Sequence, residues 1–217
     1  MPWLDDVAGV LEVWLPGDAF GTAVAGLLYG DADPGGRLPV TFPADETQGP
    51  GATAATYPGR TDATGALDTV RFDENLAIGY RYWDAHGQTP LFPFGYGLSY
   101  ARFAIEGLGA RALPNGGAEV RARVTNTSQR RGTAVLQVYV GFPSGAGEPP
   151  KQLKGFAKTS LEPGESREIT IPLDARAFAR WDSERDRWTT PPGTFDVMLG
   201  TSSRGIVAQW PIAPGVH

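Results

Sequence analysis

Pro90-Leu-Phe-Pro-Phe-Gly-Tyr-Gly-Leu-Ser-Tyr100 is the stretch on which the reading of this chain turns. Its two prolines restrict their own φ and bias Thr89 and Phe92 toward extended conformations. Gly95 and Gly97 let the backbone turn tightly. Phe92, Phe94, Tyr96 and Tyr100 supply rings that can bury against neighbours on both sides. The stretch therefore reads as a rigid seam rather than a flexible linker. Residues 1–100 read as a piece of a mixed α/β unit, and residues 101–217 as a row of short alternating strands. Charge divides at the same place, with 13 acids and 4 bases before it and 11 acids and 15 bases after it. Two domains with that boundary are expected.

Downstream of the seam, period-2 alternation dominates. Val120, Ala122 and Val124 point one way, as do Leu136, Val138 and Val140, then Ile169, Ile171 and Leu173, then Phe195, Val197 and Leu199. Ile206, Ala208, Trp210 and Ile212 make a last strand. Turn signals separate these runs, among them Pro114-Asn-Gly-Gly117 and Glu162-Pro-Gly-Glu165. About seven such strands predict an antiparallel sandwich of the immunoglobulin or fibronectin III type. One helical turn is expected over Asp174–Phe178. Trp181 and Trp188 flank a charged hairpin-like segment and serve either as a binding platform or, as is commoner, as a cap on the core. The three lysines of Lys151–Lys158 suit a solvated strand edge.

Upstream, Val10–Leu15 is a β-like apolar run closed by Pro16-Gly17. Asp18 is placed to cap a helix whose apolar stripe is Phe20, Ala23, Val24, Leu27 and Leu28, with Gly30 as its C-terminal cap. Leu38–Phe42 follows as a short extended segment that Pro39 keeps out of a central strand. The fold class expected is thus mainly β: a sandwich preceded by a partial strand-helix-strand α/β segment and long loops. Residues 43–70 read as a long loop, which implies that it wraps another body or that its domain is incomplete. The helix stripe has little sheet to cover it, so an exposed apolar patch and self-association or a partner are expected.

Composition excludes several functions. The chain of 217 residues has no cysteine, hence no disulfide or thiolate chemistry, and two histidines, His86 and His217, which argue against a histidine-rich metal site. No cofactor is implied. The net charge of −5 and the absence of a basic stripe interleaved with aromatics argue against nucleic acid. No apolar run is long enough to span a bilayer, and no signal peptide opens the chain, so a cytoplasmic location is expected unless residues precede Met1. Arg71–Asp84 mixes acids, arginines and aromatics. Sugar sites use such residues, which makes Glu74, Tyr82 and Trp83 the substrate-binding candidates; the plainer reading is an ion-paired loop on an aromatic core.

Leu28-Tyr-Gly-Asp31, Pro34-Gly-Gly-Arg-Leu-Pro-Val-Thr-Phe-Pro43, Ile78-Gly-Tyr-Arg-Tyr82 and Pro93-Phe-Gly-Tyr-Gly-Leu-Ser-Tyr100 resemble, in order, the C-terminal part of glycoside hydrolase family 3 β-glucosidases. Val138-Tyr-Val140, Leu153-Lys-Gly-Phe-Ala-Lys158 and Leu161-Glu-Pro-Gly-Glu165 resemble the fibronectin type III-like domain that ends those enzymes. Phe72 and Trp83 stand where the family often has tyrosine. The resemblance implies a (β/α)8 barrel, an α/β sandwich and then the fibronectin-like domain, of which this chain matches the end of the second and all of the third. It implies hydrolysis of β-linked glucosides or oligosaccharides, with the nucleophilic Asp on the barrel and the acid/base Glu upstream of Met1. No residue here matches either catalytic motif. The chain alone is expected to be inactive unless an N-terminal catalytic chain supplies the barrel. The alternative is a non-catalytic module that binds carbohydrate or a partner.

Overall fold

A computed structural model describes residues 1–215; His217 lies outside the described residues. Helix α1 (Phe20–Tyr29) is followed by a small hairpin, β1 (Arg60–Thr61) with β2 (Leu67–Thr69), and by helix α2 (Tyr80–Ala85). Beyond the seam come β3 (Phe103–Ala112), β4 (Ala118–Asn126), β5 (Gly132–Gly141), β6 (Gln152–Leu161) and β7 (Ser166–Leu173). The short β8 (Arg180–Asp182) and β9 (Arg187–Thr189) precede β10 (Phe195–Gly200) and β11 (Ile206–Ile212).

All pairings are antiparallel. One sheet runs β11-β10-β5-β6 and the other β3-β4-β7, the three-and-four arrangement of a fibronectin III-like sandwich. Alternation places Val120, Ala122 and Val124 of β4 against Leu136, Val138 and Val140 of β5, with Phe195, Val197 and Leu199 of β10, in one core. Phe195 meets Phe178 and Phe142 edge-on at centroid separations of 5.3 and 5.1 Å. Phe178 ends a 3-10 turn over Ala175–Phe178, where Asp174 Oδ1 accepts from the Ala177 amide at 3.0 Å. Asp174→Ala removes that cap and is expected to cost about 1 kcal/mol by urea denaturation, with Phe178 packing loosened.

β5 departs from simple alternation. Its outward-facing Gln137 and Tyr139 are as buried as its inward-facing valines. Both faces of a strand are covered only when something lies on the sheet's outer side. Here the cover is the seam and α2, both from the first hundred residues.

That first part is a partial α/β segment whose details differ from expectation. Helix α1 forms and Gly30 closes it at φ 79°, donating its amide to the Leu27 carbonyl. Asp18 does not cap it: the N-cap is Ala19, with no side-chain bond, and Asp18 lies one residue too early. Val10–Leu15 forms no strand. β-propensity is realised only against a neighbouring strand, and none among the described residues lies beside it. Trp14 instead takes φ 50° and sits 6.3 Å from Phe42. Leu38–Phe42 bends at Pro39 and Val40 rather than running extended throughout, and it is joined to the seam: the amide of Phe42 donates to Phe92 O, that of Leu38 to Tyr96 O, and that of Gly95 to Leu38 O, each at 2.8 Å. Trp3, Val10, Trp14, Leu15, Phe20, Leu28 and Tyr29 are all exposed, the apolar surface expected of a helix and run without their sheet.

Candidate functional site

Helix α2 carries the centre of a buried ion-pair cluster. Asp84, at its C-terminal end, has a side chain only 4% exposed. Its Oδ2 accepts from Lys151 Nζ at 2.6 Å and its Oδ1 faces Arg204 Nε at 3.1 Å. Lys151 is itself 13% exposed, so two of the three charges are removed from water. Burial of this kind is tolerated only when every charge is paired. Arg204 also donates to the Gln88 carbonyl at 2.7 Å. A carboxylate of the first hundred residues is thereby clamped between the start of β6, at Lys151 just before it, and the β10–β11 turn.

The clamp continues along the helix and the seam. Tyr80 donates no strand bond but accepts one, from the Leu153 amide of β6 at 2.7 Å. Its ring stacks on Phe94 at 4.7 Å and meets Tyr139 edge-on at 5.9 Å. Tyr139 donates its hydroxyl to Gln137 Oε1, and Gln137 Nε2 donates to the carbonyls of Gly95 and Thr201 at 3.0 and 2.9 Å. Burial pushes the Tyr139 phenol well above its ordinary pKa, so it stays a neutral donor. The Ser203 amide donates to Phe94 O at 2.9 Å. Buried networks of this kind specify one arrangement because each member lacks an alternative partner.

A second clasp lies at the far end of the seam. Asp33 Oδ1 accepts from Ser99 Oγ at 2.6 Å and from the Tyr100 amide at 2.9 Å, while its Oδ2 accepts from the Thr133 amide of β5. Tyr100 donates its hydroxyl to Leu27 O of α1, and Arg130 lies over the Tyr100 ring while donating to Gly30 O. A cleft of about 500 Å³ opens here, lined by Asp31, Asp33, Tyr100, Arg130, Arg131 and Thr133 among others. Its central carboxylate, Asp33, is already engaged by three donors.

Of the three residues singled out for sugar binding, Tyr82 and Trp83 meet edge-on at a centroid separation of 5.9 Å. Trp83 is buried beneath the loop at Gly49, where an added Cβ would lie 2.5 Å from the indole, and its Nε1 reaches Gln48 Oε1 at 3.5 Å. Half-buried Tyr82 stacks on His86 at 3.9 Å. Glu74 lies on the irregular segment before α2, half-buried, with Oε2 buried and without a hydrogen-bond partner among the described residues. Sequence reasoning missed Asp33, Gln137 and the Lys151–Asp84–Arg204 set. Only the ion-paired reading of Arg71–Asp84 pointed toward the last.

Two other expectations need correction. Trp181 and Trp188 do not cap the core; they form a cross-strand pair on the β8–β9 hairpin, 5.7 Å apart and nearly perpendicular, each about half exposed. Three-residue strands are too short to reach over the sandwich edge, and the rings stabilise the hairpin instead. β6 is an edge strand, yet Lys151, just before it, is in the clamp, and Lys154 is half-buried over the Phe142 ring, where burial lowers its pKa.

The comparisons with known proteins accord with this architecture. The glycosyl hydrolase family 3 C-terminal domain matches residues 1–100, and the fibronectin type III-like domain matches residues 134–203. The chain belongs to glycoside hydrolase family 3. It corresponds to the C-terminal portion of that family's β-glucosidases. The thermostable β-glucosidase B of Acetivibrio thermocellus is 39% identical over 213 residues, which is 96% of this chain and 27% of that enzyme. An exo-α-(1→6)-L-arabinopyranosidase of Bifidobacterium breve is also 39% identical, over 98% of the chain and 27% of its own length. The crystal structure of a β-glucosidase from Streptomyces venezuelae in complex with D-glucose superposes with a TM-score of 0.90 at 35% identity, covering 99% of this chain and 27% of that one. The family 3 chain described here therefore spans about a quarter of the length of these relatives.

Proposed function

We propose that this chain is the structural, C-terminal portion of a β-glucosidase-type glycosidase, which hydrolyses O-glycosyl bonds of β-linked glucosides or oligosaccharides once a barrel bearing the nucleophile is supplied. The observation that carries the reading is the fate of three aspartates, Asp33, Asp84 and Asp182. Asp33 accepts from one hydroxyl and two amides, Asp84 is paired with Lys151 and Arg204, and Asp182 is held by Arg185 and two backbone amides. Retaining hydrolysis needs a nucleophile and an acid/base about 5 Å apart and free to react across a sugar. These aspartates instead tie loops and strands together. The equal similarity to a glucosidase and to an arabinopyranosidase supports a portion that does not select the sugar.

The reading of the sandwich as a carbohydrate-binding module has less support. Stacking on sugar needs an open ring face, but the tryptophans stand edge to face and Arg176 covers the Trp188 ring at 4.3 Å. Incubating the chain alone with an aryl β-glucoside is expected to release no aglycone above buffer. The same chain, joined behind the preceding portion of the A. thermocellus enzyme in place of that enzyme's own C-terminal part, is expected to turn the substrate over. Robust turnover by the chain alone would sink the reading.

A further inference from the structure

The cover over the outer face of the β11-β10-β5-β6 sheet reaches β5 and the start of β6 and stops there. Further along β6, Phe156 stands directly opposite Gln137 and Lys158 directly opposite Val135, so the four share that outer face. Phe156 is 69% exposed. A groove of about 350 Å³ runs here, lined by Arg37, Pro39, Val135, Leu153, Phe156 and Lys158 among others, and no acidic residue lines it. Lys158 has no ion pair or hydrogen bond among the described residues. Arg37 donates to the carbonyls of Gly36 at 2.7 Å and Leu98 at 3.5 Å, and burial lowers its pKa against the opposing charge of Asp33. A small-molecule pocket encloses most of its ligand. A groove whose aromatic wall is mostly exposed instead suits a body laid across it, and an aromatic ring among apolar side chains with an arginine beside them is the composition of a protein interface. Two cations with no carboxylate among the lining residues call for a partner that presents negative charge. The face continues the interface between the first hundred residues and the sandwich. Relatives of this chain carry nearly three quarters of their length outside the part it matches.

We propose that the groove at Phe156 and Lys158 seats the preceding, barrel-bearing portion of the glycosidase, which lays an apolar side chain on Phe156 and presents a carboxylate to Lys158 and Arg37. The inference rests on the function proposed above and adds the surface through which the two portions hold together. It also accounts for the incomplete cover of the sheet: the outer face of β6 is left for a body that touches both the wall at 35–39 and the strand.

Phe156→Ala and the charge reversal Lys158→Glu test this in two contexts, read by loss of folded signal on heating rather than by turnover. In the 217-residue chain both are expected to leave the unfolding rate unchanged, since both side chains are exposed. In the A. thermocellus chimera each is expected to speed thermal unfolding about tenfold, whereas Lys158→Arg, which keeps the charge, should not. Acetylation of amines followed by mass spectrometry needs no variant: Lys158 should label readily in the 217-residue chain and be protected in the chimera. Equal effects in both contexts, no effect in the chimera, or equal labelling overturns the proposal, as does a chimera that fails to fold with both residues intact. Self-association of the 217-residue chain that Phe156→Ala abolishes gives the face to a second copy and overturns it too. A chimera that shows the stability effects and the protection but lacks turnover contradicts the proposed function and leaves the docking surface standing.

Discussion

Replacing Asp84 with asparagine is expected to destabilise the chain by about 3 kcal/mol, measured by urea denaturation, because it leaves the Lys151 ammonium buried without a counter-charge. Lys151 is 13% exposed and cannot turn fully to water, whereas Arg204, at 38%, can. The loss should therefore fall mainly on the Lys151 contact. Exchanging both partners, Asp84→Leu with Lys151→Met, removes the two buried charges together and should recover most of the loss, since apolar replacements of similar size are often neutral. A double-mutant cycle that showed no coupling between positions 84 and 151 would mean that the clamp does not hold the two parts together.

Gly95→Ala is expected to cost about 3 kcal/mol, for two separable reasons. The residue has φ 81°, a conformation that costs an L side chain roughly 1–2 kcal/mol. An added Cβ would also lie 2.2 Å from Gln137 Oε1, the atom that accepts the Tyr139 hydroxyl. Gln137 would have to move, and its bonds to Gly95 O and Thr201 O would break with it. Gly65 provides the control. It has φ 82° but nothing within 4 Å of its Cβ position, so Gly65→Ala should show the conformational cost alone. Equal midpoints for the two variants in urea would show that the Gly95–Gln137 contact contributes nothing.

The sandwich was legible because alternation is a local signal. Every inward position named on β4, β5 and β10 is in the core. β3 was not legible: Gly107 and Gly109 interrupt its alternation, and its register to β4 shifts between them. The seam was legible as rigid from its prolines and rings. Its partners were not, since they lie far along the chain: Gly95 with Gln137, Phe94 with Ser203, and Asp33 with Thr133. Gln137 and Tyr139 occupy positions that alternation assigns to solvent, and they are buried only because the first hundred residues fold back over β5. Val10–Leu15 failed in the opposite sense. Its β character is plain in the sequence, but no strand among the described residues lies beside it. Of the candidate site, the aromatic and ion-paired nature of Arg71–Asp84 was readable, while the roles of its members depend on which of them α2 turns toward the sandwich.

Pro90–Tyr100 thus makes the first hundred residues and the sandwich one buttress: its backbone pairs with Leu38–Phe42 on one side, and its carbonyls take Gln137 and Ser203 on the other. Native-state hydrogen exchange tests this most directly. The amides of Phe42, Gly95, Leu153 and Ser203 are expected to exchange with the same opening free energy as those of Leu136 and Val138 in β5, because seam and sandwich open together. Rapid exchange at those four amides while β5 stays protected would contradict it, and would make Pro90–Tyr100 a hinge between two independent bodies.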